Sequence, residues 1–284
     1  WEFRRVLFRS VQARINTYYH SNLDVLTYEK LSANQLIFID IINAATVSNV
    51  LPLLNKMAKS GKKVFAVGSA EISGLGKYTA VQMDAKTIEF YEQSGRNNLV
   101  RMILDQCQRS LGMKIPQQQP ITMPEFALCN IESQKIYEDF ESYRGDYGPY
   151  MKDNPWIAIN MWRSDFLSEQ LTHFKAYASQ FEENGFNVLF YYGYPQKEDA
   201  EKLFYNTNKQ LVPEVILAQA AWLGANPRQN RELFEKLGIP VINMVQVNQT
   251  AEEWMGNDKG VDIYKRTSSL NIPEQMGMVQ PIVT

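Results

Sequence analysis

The chain is punctuated by short, continuous apolar runs: Leu36–Ile42 (LIFIDII), Lys63–Val67 (KVFAV), Trp156–Met161 (WIAINM), Asn187–Tyr192 (NVLFYY), Val215–Ala218 (VILA) and Val241–Val245 (VINMV). A strand with one face in water alternates apolar and polar residues; runs without alternation belong to strands covered on both faces, as in parallel sheets. Between these runs lie stretches with helical spacing. Val50, Leu53, Leu54 and Met57 share a helix face, with Thr46 as its expected cap and Gly61 as its stop. Asp84–Gln93 and Asn97–Leu111 read as helices separated by Ser94-Gly95, the second with Leu99, Met102, Ile103 and Gln106 on one face. Phe166, Leu167, Leu171, Phe174, Tyr177, Ala178 and Phe181 predict one long helix, capped by Ser164 or Asp165 and stopped at Asn184-Gly185. Lys197–Phe204 and Arg228–Leu237 complete the set. Strands alternating with helices at this spacing predict an α/β fold: two Rossmann- or flavodoxin-like open parallel-sheet units.

The Pro- and Gln-rich stretch Pro116–Pro124 interrupts all periodicity and reads as a linker. It divides a first α/β domain with a helical extension (13–124) from a second α/β domain (125–284) expected to be truncated at its C-terminal end. Glu2–Ser10 (EFRRVLFRS) matches, residue for residue, the translation of a common sequencing adapter, so residues 1–12 are expected to be an artefact rather than a basic membrane- or RNA-binding arm.

Bulk properties exclude several classes. A net charge of −2 with scattered basic residues argues against a nucleic-acid surface. No apolar run approaches the roughly 18 residues that cross a bilayer. Cys107 and Cys129 cannot form a cysteine zinc cage and read as reduced, buried thiols. His20 and His173 are the only histidines, and His173 reads as structural, since a metal ligand needs partners. Gly74-Leu75-Gly76 lacks the rest of a phosphate loop, and Glu182-Glu183 and Glu252-Glu253 read as solvated helix faces. No catalytic constellation and no resident metal site emerges.

Open parallel sheets bind ligands beyond the C-terminal ends of their strands. That rule selects Asn160, Trp162, Arg163 and Ser164 after one strand: an amide, an aromatic face and a guanidinium suited to a planar, anionic ligand. The alternative is a packed Trp162 and a solvated Arg163. Gln219 follows the next strand with Trp222 in the loop beyond it, and Gln246 and Asn248 follow another. They are either a polar pocket floor or ordinary loop caps.

Several segments, taken in order, resemble the N-terminal region of the large subunits of cobaltochelatase and magnesium chelatase. They are EFYEQSGRNNLVRMIL (Glu89–Leu104), Trp156–Ser164 with its following helix and strand, GIPVINMVQ (Gly238–Gln246), TAEEW (Thr250–Trp254) and GMVQPIV (Gly277–Val283), the last resembling the element that introduces the family's next domain. Ser94-Gly95 stands where many members have paired glycines.

The resemblance implies a fragment of a metal chelatase subunit that binds a tetrapyrrole, corrin or porphyrin, as substrate. A divalent metal (Co, Mg or Fe) is the other substrate, and ATP is used by partner ATPase subunits. The fragment alone is expected to be inactive, its catalytic residues lying downstream, in a cytoplasmic or membrane-associated protein. Arg163 is expected to meet a ring carboxylate, Trp162 the ring, and Gln219 and Gln246 to position it. The alternatives are a haem dechelatase relative from haem uptake, a two-lobed small-ligand-binding module without chelatase activity, or a region that only docks partner subunits.

Overall fold

A computed structural model describes residues 28–40, 44–68, 74–193, 197–219, 227–245, 251–258, 260 and 270–283, with two short strands at Leu7–Phe8 and Val11–Gln12. The chain forms two compact units, Trp1–Thr122 and Met123–Thr284.

In the first unit, α1 (Tyr28–Ser32) precedes β1 (Leu36–Ile39), α2 (Ala44–Lys59) and β2 (Lys63–Ala66). The two strands pair in parallel from Leu36 opposite Lys63 to Ile39 opposite Ala66. Val47, Val50, Leu54 and Met57 of α2 pack on Ile37, Val64 and Ala66. The helix begins ahead of Thr46, which therefore lies in its first turn and is not its cap. Two helices follow, α3 (Ala85–Gln93) and α4 (Gly95–Leu111).

A charged network locks α3 to α4. The Arg109 guanidinium forks onto Asp84 at 2.8 and 2.7 Å and donates from Nε to Asp105 at 2.6 Å. Lys86 reaches the other Asp105 oxygen at 2.8 Å, and Asp105 is 1% exposed. Asp84 also caps α3, accepting from the Thr87 N–H at 2.8 Å. The Arg109 hydrogen bonds hold its carboxyl far below the usual carboxylate range. Residues 116–124, expected as a linker, are fastened at several points. Buried Asn98 donates to the Ile121 carbonyl and accepts from its N–H, at 2.9 and 2.8 Å, and Lys86 donates to the Gln118 carbonyl. Backbone with no secondary structure is satisfied here by side chains of α3 and α4.

The second unit carries β3 (Ala127–Cys129), β4 (Ile136–Tyr137), α5 (Phe140–Asp146), β5 (Trp156–Met161), α6 (Arg163–Leu167), α7 (Thr172–Glu183) and β6 (Asn187–Tyr192). It continues with α8 (Lys197–Phe204), β7 (Pro213–Ala218), α9 (Pro227–Leu237), β8 (Val241–Val245), α10 (Ala251–Met255), α11 (Ile272–Gln275) and β9 (Val279–Val283). The sheet order is β9-β8-β7-β5-β6-β3-β4. The strands from β9 to β6 are parallel, and β3 and β4 add an antiparallel edge. In chain order the parallel strands run second, first, third, fourth, fifth: the flavodoxin-like arrangement, reversing direction between β5 and β7. Within Gly277–Val283, residues Val279–Val283 form β9, paired in parallel with β8.

Each face of this sheet is covered. Phe166, Leu171 and Phe174 pack on Ile157, Ile159, Met161, Val188, Phe190 and Tyr192. Phe140, Tyr143, Leu203, Phe204, Leu233 and Leu237 pack on Ala158, Leu189, Tyr191, Ile216 and Ala218. Because β3 pairs with β6 only at Tyr191 and Tyr192, the backbone of Val188 lacks a strand partner on that side. Two hydroxyls stand in for one: Tyr143 donates to the Val188 carbonyl at 2.8 Å, and Val188 N–H donates to Tyr147 at 2.9 Å.

The single long helix expected from the apolar spacing is two helices. Glu169 adopts φ 62°, the Gln170 N–H donates to the Asp165 carbonyl at 2.9 Å, and the Glu169 N–H donates to Phe166 at 3.2 Å. These are the crossed bonds of a Schellman stop, made here without the customary glycine.

Ser94, between α3 and α4, holds φ 60° and ψ −172°, a region that only glycine enters freely. Ser94→Gly is expected to raise the stability of the chain by about 1 kcal/mol, measured by urea denaturation. A loss of stability would show that the serine side chain is needed at this turn.

Candidate functional site at the strand reversal

Where the strand order reverses, the helices that follow β5 and β7 pack on opposite faces of the sheet, and in open parallel sheets that is where ligands bind, beyond the C-terminal strand ends. The residues ending these two strands are therefore the ones that a ligand would meet. Asn160 is 1% exposed, near the end of β5, and its amide donates to the Gly193 carbonyl at 3.2 Å. Gly193 has φ +81°, and a Cβ there would lie 2.0 Å from the Glu125 carbonyl, so only glycine fits. Asn160 thus fixes the exit of the neighbouring strand β6.

Trp162 is half-buried and forms the N-terminal boundary of α6, its carbonyl accepting from the N–H groups of Asp165 and Phe166 at 3.1 and 3.3 Å. Arg163 donates from Nε to the Pro124 carbonyl at 3.0 Å and from Nη2 to the Met123 carbonyl at 3.2 Å. Both acceptors are neutral, and burial lowers the pKa of the guanidinium from its usual value. Ser164 is exposed, and its carbonyl accepts from Ser168 N–H and Oγ at 2.9 and 2.6 Å, closing the short helix.

Gln219, at the end of β7, is 5% exposed and hydrogen-bonds the side chain of Asp165. Spacing alone marked Asp165 as a possible helix cap. The boundary residue is instead Trp162, with no side-chain cap, and the carboxylate is turned across the β5–β7 gap. Burial, offset in part by the Gln219 bond, pushes the Asp165 carboxyl up to about 6. Its Oδ2 is buried and has no hydrogen-bond partner among the described residues. Such an oxygen costs about 1–3 kcal/mol, more when ionised. On the β6 side, Tyr192 is fully buried, stacks on Phe166 at 5.4 Å between centroids, and has a hydroxyl without a partner among the described residues.

The reversal thus brings together Trp162, Arg163 and Gln219 of the expected set, and adds Asp165 and Tyr192. Gln246, Asn248, Trp222 and His20 lie outside the described residues. His173 packs against Phe174 and Tyr177 on α7, and burial lowers its pKa. Cys107 and Cys129 are free and buried. Among the described residues, no three His, Cys, Asp or Glu side chains gather where a metal could be held. None of the described helices is long and apolar enough to cross a membrane.

The sequence model of the CobN/magnesium chelatase family matches residues 88–284. The chain belongs to that family. The match starts within α3 and takes in the whole of the second unit. No curated protein matches the chain in sequence. Among solved structures, the catalytic subunit of cobaltochelatase from Mycobacterium tuberculosis is similar in fold, with a TM-score of 0.58 at 17% sequence identity. The match covers 89% of this chain and 21% of that one, so a CobN-type chain of this length spans a small part of such a subunit.

The raised Asp165 carboxyl has a measurable consequence. The folded chain binds this proton more tightly than the unfolded chain, whose value is the usual 3.8. Its contribution therefore falls as pH rises from about 4 to 6 and stays low above that window. Asp165→Asn is expected to stabilise the chain near neutral pH and to flatten that part of the pH dependence, read by urea denaturation at several pH values. An identical slope in the variant would show that the carboxylate is fully solvated.

Proposed function

We propose that the chain is the tetrapyrrole-handling part of the large subunit of a metal chelatase. In such a reaction a divalent metal replaces the two inner N–H protons of the ring, and ATP is hydrolysed by separate partner subunits. The observation that carries this reading is family membership over residues 88–284, a span that includes both strand ends flanking the reversal. A planar ring needs a flat apolar contact, and Trp162 offers one at the edge of the sheet. Its carboxylates need a cation, and Arg163 carries one whose plane is set by the Met123 and Pro124 carbonyls. Gln219 and Gln246 contribute polar positioning. Asn160 and Ser164 act one step back, through Gly193 and through the end of α6.

The test is a titration of the chain with a metal-free corrin, protoporphyrin and haem, following the Soret or corrin absorption. A saturable spectral shift is expected with at least one ring, weakened about tenfold by Trp162→Ala. Binding of haem alone would move the reading to iron removal. No shift with any ring would defeat it and favour a small-ligand or subunit-docking module.

A further inference from the structure

The carboxylate of Asp165 is placed for recognition rather than for support of its own helix. The first turn of α6 is closed by the Trp162 carbonyl, so the Asp165 side chain is not needed there. It faces Gln219 at the neighbouring strand end, whose side-chain hydrogen bond favours the ionised carboxylate. The other oxygen, Oδ2, is shielded from solvent and meets no donor among the described residues. An ionised carboxylate is acceptor-only, so what completes this pair must present a donor; a second carboxylate would be repelled.

The position also matters. Asp165 lies three residues beyond Trp162, in the first turn of the helix that Trp162 begins. A ring resting on Trp162 would bring its edge or its centre within reach of the carboxylate.

Resting on the chelatase reading above, we infer that Asp165, held by Gln219, is a receptor for an N–H donor of the ring and so decides which ring state is accepted. Two parts of a tetrapyrrole carry that chemistry: a side-chain carboxamide, and the inner pyrrole N–H groups that exist only before the metal is inserted. Arg163, turned toward Met123 and Pro124, is the cation proposed above for the ring carboxylates. Recognition would then be divided: cation to carboxylate on one side of α6, carboxylate to N–H on the other.

The experiment compares the intact chain with Asp165→Asn against three probes: a metal-free porphyrin with carboxylate side chains, the same porphyrin with primary carboxamides in their place, and its zinc form. If the wild type prefers the carboxamide porphyrin and the variant loses that preference about tenfold, the donor is the side chain. If the wild type prefers metal-free over zinc-loaded ring and the variant does not, the donor is the pyrrole N–H. Either result supports the inference, provided the variant's unfolding midpoint is at least that of the wild type. Both preferences unchanged in the variant, or no preference in the wild type while the rings still bind, would overturn the inference and leave the chelatase reading intact. Failure of every ring to bind either protein would overturn both.

Discussion

Strand β5 is paired on both sides, with β6 through Trp156–Met161 and with β7 through Trp156–Asn160, and every one of its residues is buried. A strand so placed has no water for its backbone, so each N–H and C=O depends on the ladders. Its side chains feed both layers: Ile157, Ile159 and Met161 into one core, Trp156 and Ala158 into the other. Parallel pairing then brings the ends of β5, β6 and β7 to one edge. The reversal of strand order lies between β5 and β7, and the choice of functional residues follows from the rule that open parallel sheets bind ligands beyond such strand ends.

The short helix α6 adapts that edge to chemistry. It ends after Leu167 because Glu169 turns left-handed, which lets α7 restart and lay Phe174 on the sheet. Within one turn, Arg163 is directed to the Met123 and Pro124 carbonyls and Asp165 to Gln219. A buried carboxylate oxygen without a donor is unfavourable for folding. Folds tolerate such local conflicts chiefly where a ligand resolves them.

The strands Trp156–Met161, Asn187–Tyr192 and Val241–Val245 were legible in the sequence to the residue, because burial on both faces leaves an unbroken apolar run. So was helix Lys197–Phe204. The break at Glu169 was not, since a Schellman stop is usually announced by glycine and here is made by glutamate. Strand β9 was hidden by Pro281, which a central strand would reject. It survives because β9 is the edge strand: Ile242 to Met244 on β8 face Val279 to Ile282, so the extra residue bulges out near the proline. The three-residue β3 is too short for any periodic signal. At the candidate site, spacing identified Trp162, Arg163 and Gln219 as strand-end residues. It could not reveal that Asp165 faces Gln219, because that contact joins residues far apart in sequence through the order of the strands.

The central claim is that the ring sits on the edge where β5 and β7 end. Hydrogen–deuterium exchange of the chain with and without protoporphyrin tests it most directly. Ligand-dependent protection is predicted in peptides covering residues 160–168 and 215–219. Unchanged exchange there, with protection confined to the helices of the first unit, would contradict it.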